Sequence, residues 1–104
     1  MIDSYEEKII DWGIDKGILH DDHRGDQGWL IAQANKTQEE LDELFYAIGR
    51  TDKAEAIDAI GDIFVTLVMQ ASLWDVTMEE CIEQAYNTII KRTGKIVDGQ
   101  FVKD

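Results

Sequence analysis

A chain of 104 residues and 11.9 kDa is enough for one domain, spanning 1–104, and not for two. Ten Lys and Arg against 22 Asp and Glu leave a net charge of −12. That balance excludes nucleic-acid binding and docking on an anionic membrane, both of which need clustered cations. A single cysteine, Cys81, excludes an internal disulfide or a cysteine-based zinc cluster. The opening MIDSYEEKII has no basic segment leading into an apolar run, and no apolar stretch approaches a membrane span, so the expectation is a cytoplasmic protein.

Proline is absent and most glycines fall between periodic segments, which predicts long helices with short joints. The first helix reads from about Ser4 to Ile18, with Ile2, Tyr5, Ile9 and Trp12 at helical spacing and Ser4 as its cap. The segment LHDDHRGDQG is too rich in Asp and Gly to be regular. A second helix runs from about Asp26 to Ile48 with a stripe of Leu41, Leu44, Phe45 and Ile48, and Gly49 stops it. The third, from about Asp52 to Trp74, has apolar residues around a wide sector and should be central and buried on more than one side. Thr77 caps a fourth helix that runs to about Arg92, and Gly94 ends it. The tail KIVDGQFVKD has an Asp-Gly turn between apolar runs and predicts a hairpin or an arm. The expected fold is an all-α, antiparallel four-helix bundle-like domain that oligomerises as a homodimer or homotetramer to bury more apolar surface.

Acidic residues concentrate on two helices. On the second, Gln33, Lys36, Glu40 and Glu43 fall within about 80° of arc, and on the third, Glu55, Asp58 and Asp62 within about 60°. Both faces border apolar stripes. Pairing the two helices antiparallel through residues 49–51 sets the acidic faces opposite each other. Like charges so placed repel, more so when partly buried. A divalent cation reverses that sign, and hard oxygen donors suit Mg²⁺ or Mn²⁺. The bland alternative is a solvated acidic face.

KxxEExxE followed by a carboxylate-rich GD segment resembles the MazG-like nucleoside triphosphate pyrophosphohydrolases. These belong to the all-α NTP pyrophosphatase superfamily, with the dimeric dUTPases and phosphoribosyl-ATP pyrophosphatases. Glu39, Glu40 and Glu43 match the EExxE of the family pattern and Asp62 its final Asp; the C-terminal AYNTIIKRTGKIVDGQFVKD extends the resemblance over about residues 27–104. Where the pattern has a second-motif Glu this chain has Ala59, and Asp58 is the nearest substitute, with Glu55 in reserve. The resemblance implies Mg²⁺-dependent cleavage of an NTP or dNTP between the α and β phosphorus atoms, giving the monophosphate and pyrophosphate. It implies metal ligation by Glu40, Glu43, Asp58 and Asp62, with Glu39 orienting or deprotonating the attacking water. A narrower dUTPase- or dCTPase-type enzyme would use the same carboxylates.

The cations have two readings each. Lys36 is a phosphate contact or a neutralising partner of Glu39 and Glu40. Lys91, Arg92 and Lys95 complement a helix C-terminus or contact phosphates, and Asn87 lies one turn before Lys91. Gln33 and Lys36 also stand where relatives often carry them. His20 and His23 read as a solvated loop rather than a zinc site, and Trp29 as core rather than a base-stacking ring. Trp12 and Trp74 read as core, Cys81 has no activating neighbour, and Gly61 is expected to permit close helix approach beside Asp62. The reading from another class is a non-enzymatic helical module whose acidic face engages a basic partner.

Overall fold

The computed structural model describes the backbone of residues 2–104 and the side chains of residues 4–104. Four helices form in chain order: α1 (Ile2–Asp15), α2 (Gln27–Gly49), α3 (Lys53–Leu73) and α4 (Met78–Ile89). A 3-10 turn at Asp21–His23 links α1 to α2, and an antiparallel hairpin, β1 (Gly94–Val97) and β2 (Gln100–Lys103), follows α4. The hairpin expectation is met, with Asp98 and Gly99 at positive φ, as a tight two-residue turn requires.

Local capping sets most boundaries. The Asp26 carboxylate accepts from Trp29 N at 3.2 Å to start α2, and Asp52 accepts from Glu55 N at 3.1 Å to start α3. Thr77 and Glu80 form a reciprocal capping box at the start of α4. Two expectations need correction. Ser4 lies inside α1 rather than capping it, and α4 ends at Ile89 rather than Arg92; α2 ends at Gly49, where the stop was expected, and Thr51 beyond it is left-handed. The expected stripe position Ile2 lies outside the described side chains.

α2 and α3 pack antiparallel. Thr37 Oγ1 meets Thr66 Oγ1 at 2.7 Å and accepts from Gln70 Nε2 at 2.7 Å, so residues early in α2 face residues late in α3. α1 crosses the C-terminal half of α3. The core there is Leu19, Val68, Met69 and Leu73, with Ile9, Ile10, Trp29 and Met78 packed against it. The Asp-rich loop is tied down rather than solvated throughout. His23 stacks on Trp29 with ring centroids 3.7 Å apart, and the Arg24 guanidinium donates to the Ser72 carbonyl at 2.7 Å. Trp29 is thus core, as expected, but its ring face is covered by His23.

Gly13 is where α1 approaches α3 most closely. A Cβ there would lie 2.6 Å from Met69 Sδ and 3.0 Å from Leu19 Cδ1, both in the buried core. Gly13→Ala is therefore expected to destabilise the fold by about 1–3 kcal/mol through overpacking, read as a lower thermal midpoint. Gly61→Ala should instead be neutral or stabilising, because open space surrounds Gly61 and the close approach expected there is absent.

Several expectations fail on burial. α3 is central only in its C-terminal half; Ile57 and Ile60 in its first half are 61% and 57% exposed. Trp12 and Trp74, expected in the core, are exposed. No described residue of α4 is buried, so the chain by itself does not close a four-helix bundle. α3 is also, by length and composition, long and apolar enough to span a bilayer, contrary to expectation. Here it supplies seven buried residues to the packed fold and carries Asp58 and Asp62 in its first half.

Candidate active site

The geometry centres on one turn of α2 and one of α3. Glu40 points inward from α2 with a residue exposure of 6%, and Asp62 faces it, half-buried, from α3. Glu40 Oε1 pairs with Lys36 Nζ at 3.5 Å, while Glu40 Oε2 is buried with no hydrogen-bond partner. Lys36 also reaches Glu39 Oε2 at 3.6 Å. An unpartnered buried carboxylate oxygen is costly, because its lost hydration is not replaced.

The electrostatics follow from this crowding. Burial holds the Glu40 carboxyl above the usual Glu range, and the neighbouring Glu43 carboxyl adds to the shift while Lys36 opposes it. Burial likewise raises Asp62, followed by the charges of Asp58 and Glu40. Glu39 first and Glu40 second push the Lys36 ammonium upward. The facing sets thus sense one another as expected. Among the described residues, however, no three Asp, Glu, His or Cys side chains already converge closely enough to hold an ion. Lys36 instead supplies the positive charge at Glu40.

A cavity of about 890 Å³ opens beside Glu40 and Asp62, within the size range of small-molecule sites. Gln33, Lys36 and Glu39 line it at the carboxylate end, as the sequence suggested. Its far wall was not anticipated. Ile9, Trp12 and Ile18 form it from α1 and the following loop, and Asn35 and Gln38 add polar groups from α2. Trp12 at helical spacing reads equally as core or as pocket wall, which is why its periodicity alone pointed inward.

The remaining candidates divide. Glu43 and Asp58 are exposed at the margin, beside Glu40 and Asp62. Ala59 is buried at 3%, so the position where the family pattern has Glu is packed against protein. Glu55 is exposed, and its backbone N–H receives the Asp52 cap. Asn87, Lys91 and Arg92 do not line the cavity. They lie along α4 and just beyond it, on shallow grooves of their own.

The site is thus an antiparallel pair of carboxylate-bearing helices beside a cavity of small-molecule size. A family model described as phosphoribosyl-ATP pyrophosphohydrolase matches residues 18–87, well over half of the chain, and the chain belongs to that family. The family lies within the all-α NTP pyrophosphatase superfamily, and its members are hydrolases of phosphoric anhydrides. The matched span holds the whole carboxylate set and Asn87, and stops before Lys91 and Arg92. No curated protein and no solved structure is similar enough to be matched.

Proposed function

We propose that this chain is a Mg²⁺-dependent, MazG-like nucleotide pyrophosphohydrolase that converts an NTP or dNTP and water to the monophosphate and pyrophosphate. It works in the cytoplasm as an oligomer of identical chains. The observation that carries the reading is the buried Glu40 Oε2, without a hydrogen-bond partner, on a residue that lines the cavity together with Asp62. The donor set suits a hard divalent ion, since it offers carboxylate oxygens from two helices with Lys36 as their only ion-pair partner among the described residues.

Glu40, Glu43, Asp58 and Asp62 are the residues that would hold Mg²⁺, with Mn²⁺ as a substitute. When bound, the ion neutralises phosphate charge and polarises the scissile anhydride. Gln33 and Lys36 orient the phosphate chain at the carboxylate end of the cavity. Glu39, exposed beside them, orients the attacking water and accepts its proton. Ile9, Trp12 and Ile18 enclose the base, and Asn35 and Gln38 offer it hydrogen bonds. Asp58 takes the role that Ala59 cannot fill, from the adjacent position on the helix.

The family's own description favours a second substrate, a phosphoribosyl-ATP-like nucleotide. The dUTPase- and dCTPase-type readings differ only in the base pocket. One experiment separates them: pyrophosphate release from a panel of NTPs, dNTPs and phosphoribosyl-ATP, with Mg²⁺, with Mn²⁺ and with EDTA. Metal-dependent release from one or several nucleoside triphosphates is the expected result. Release from phosphoribosyl-ATP alone would assign the narrower family activity. No release from any of them by folded protein would sink the enzyme reading and leave the acidic interaction module.

A further inference from the structure

Glu40 and Asp62 stand on separate helices, so their spacing depends on the placement of α2 against α3. Apolar packing fixes that placement loosely, because ridges and grooves of side chains admit neighbouring registers. A slip of one residue moves a helix by about 1.5 Å along its axis. A binding constellation tolerates displacements of only about 0.5 Å. A directional contact is needed to hold the register.

Among the described residues, side-chain hydrogen bonds join α2 to α3 at one place. Thr66 of α3 is 4% exposed. Its Oγ1 lies 2.7 Å from Thr37 Oγ1 of α2 and 2.7 Å from the Ile63 carbonyl oxygen. Thr37 Oγ1 accepts from Gln70 Nε2 at 2.7 Å and lies 3.1 Å from the Gln33 carbonyl oxygen. A hydroxyl has one proton to donate. Whichever way the contact between the hydroxyls points, both protons are used within this chain of hydrogen bonds, and neither is left for a carboxylate. The chain also crosses the helix pair. Gln70 lines a groove with Leu30, Ile31 and Trp74, whereas Thr66 lines the cavity with Glu40 and Asp62.

Local helix formation does not call for these residues. Threonine is a poor former in a helix interior, and its hydroxyl bonding back to the preceding turn tends to bend the helix. Their position explains them better. Thr37 lies one turn before Glu40 on α2, and Thr66 one turn after Asp62 on α3. On each helix the two residues fall within about 60° of arc. Beyond the carboxylates, Ala47 of α2 and Ala59 of α3 are buried at 1% and 3%, where small side chains permit close approach of the helices. The hydrogen-bonded chain and the alanines thus bracket the like-charged stretch. Repulsion between its carboxylates, which drives the helices apart while no ion is bound, acts between two fixed points.

We infer that Thr37, Thr66 and Gln70 are positioning residues for the metal site: their hydrogen-bonded chain sets the α2–α3 spacing at which Glu40 and Asp62 suit an ion as small as Mg²⁺. Mg²⁺ takes ligands at about 2.0–2.1 Å in a nearly regular octahedron, while Ca²⁺ accepts about 2.3–2.6 Å in looser arrangements. Loosening the chain therefore costs Mg²⁺ more than Ca²⁺.

This inference rests on the proposed metal site, and the two fail differently. Dissociation constants for Mg²⁺ and Ca²⁺ are read from thermal-shift titrations of the metal-free protein. Thr37→Val should weaken Mg²⁺ binding about tenfold and Ca²⁺ binding less than about twofold. Thr37→Ser, which keeps the hydroxyl, should restore the wild-type ratio of the two. Gln70→Met, at a half-buried position, should fold and shift the ratio about threefold in the same direction. A threonine pair that merely stabilises the fold would lower the thermal midpoint and weaken both metals in equal proportion, and that result would overturn the assignment. So would an unchanged ratio in Thr37→Val, or in Gln70→Met should the valine variant not fold. A serine variant that behaves like the valine one would overturn it as well, by placing the effect in methyl packing. Mg²⁺ bound equally by wild type and Glu40→Gln, or by neither, would sink the site reading itself, and this inference with it.

Discussion

Glu40→Gln is expected to slow turnover roughly 10²-fold and, in the absence of metal, to stabilise the protein. Both effects come from one oxygen. In the wild type, Glu40 Oε2 is buried without a partner while Oε1 faces Lys36. Burial and the Glu43 carboxyl both disfavour its charged form. A neutral amide of the same shape removes the cost of the buried charge, and the Lys36 pair it loses is half exposed and contributes little. A gain on the order of 1 kcal/mol corresponds to a rise of about 4–8 °C in Tm for a domain this size. Activity should move the other way. Losing about 3 kcal/mol of transition-state charge stabilisation lowers kcat roughly 10²-fold. Scanning calorimetry in EDTA at pH 7, beside a pyrophosphate assay in Mg²⁺, reads both. A variant that melts lower than wild type in EDTA would show that Glu40 is a structural ion-pair partner instead.

The second large effect is on the sign of the pH dependence. Glu40 and Asp62 both have folded-state pKa values above their ordinary ones. The folded protein therefore keeps protons that the unfolded chain has released. Their contribution to stability is fully present below the ordinary carboxylate range, about pH 4. It is lost as pH rises through the folded values. Metal-free wild type should thus lose stability as pH rises above the ordinary carboxylate range, relative to a Glu40→Gln/Asp62→Asn variant. Mg²⁺ binds the ionised carboxylates, so its stabilisation should grow over the same interval. At free Mg²⁺ a hundredfold above Kd the gain is about 2.7 kcal/mol, a Tm increase of about 10 °C or more. The double variant should show neither trend. An equal Mg²⁺ response in wild type and double variant would locate metal binding elsewhere on this acidic chain.

The carboxylate pairing was legible because it depends on short-range geometry. Spacing along α2 and α3 placed Glu40 and Asp62 on facing sides, and a three-residue joint forces an antiparallel return. The same spacing could not rank the carboxylates. Glu40 is buried while Glu43, one turn on, is exposed, because α1 and the core cover only one end of the α2–α3 pair. Trp12 and Trp74 were misplaced for a related reason. Periodicity reports that a face is apolar, and does not report whether the chain itself or something else covers it.

By itself, then, the sequence determined the helix-rich fold, the starts of α2 and α3 near Asp26 and Asp52, the cap at Thr77, the Asp-Gly hairpin turn and the acidic faces of α2 and α3. Each of these is fixed by residues within a few positions of one another. Only the tertiary structure decided that Gly13 is the close crossing of α1 on α3, that Ile9, Trp12 and Ile18 wall a cavity beside Glu40, and that α4 carries Arg92 away from it. Those outcomes depend on how rigid helices cross, and a helix crossing is set by side chains from distant parts of the chain interlocking at once.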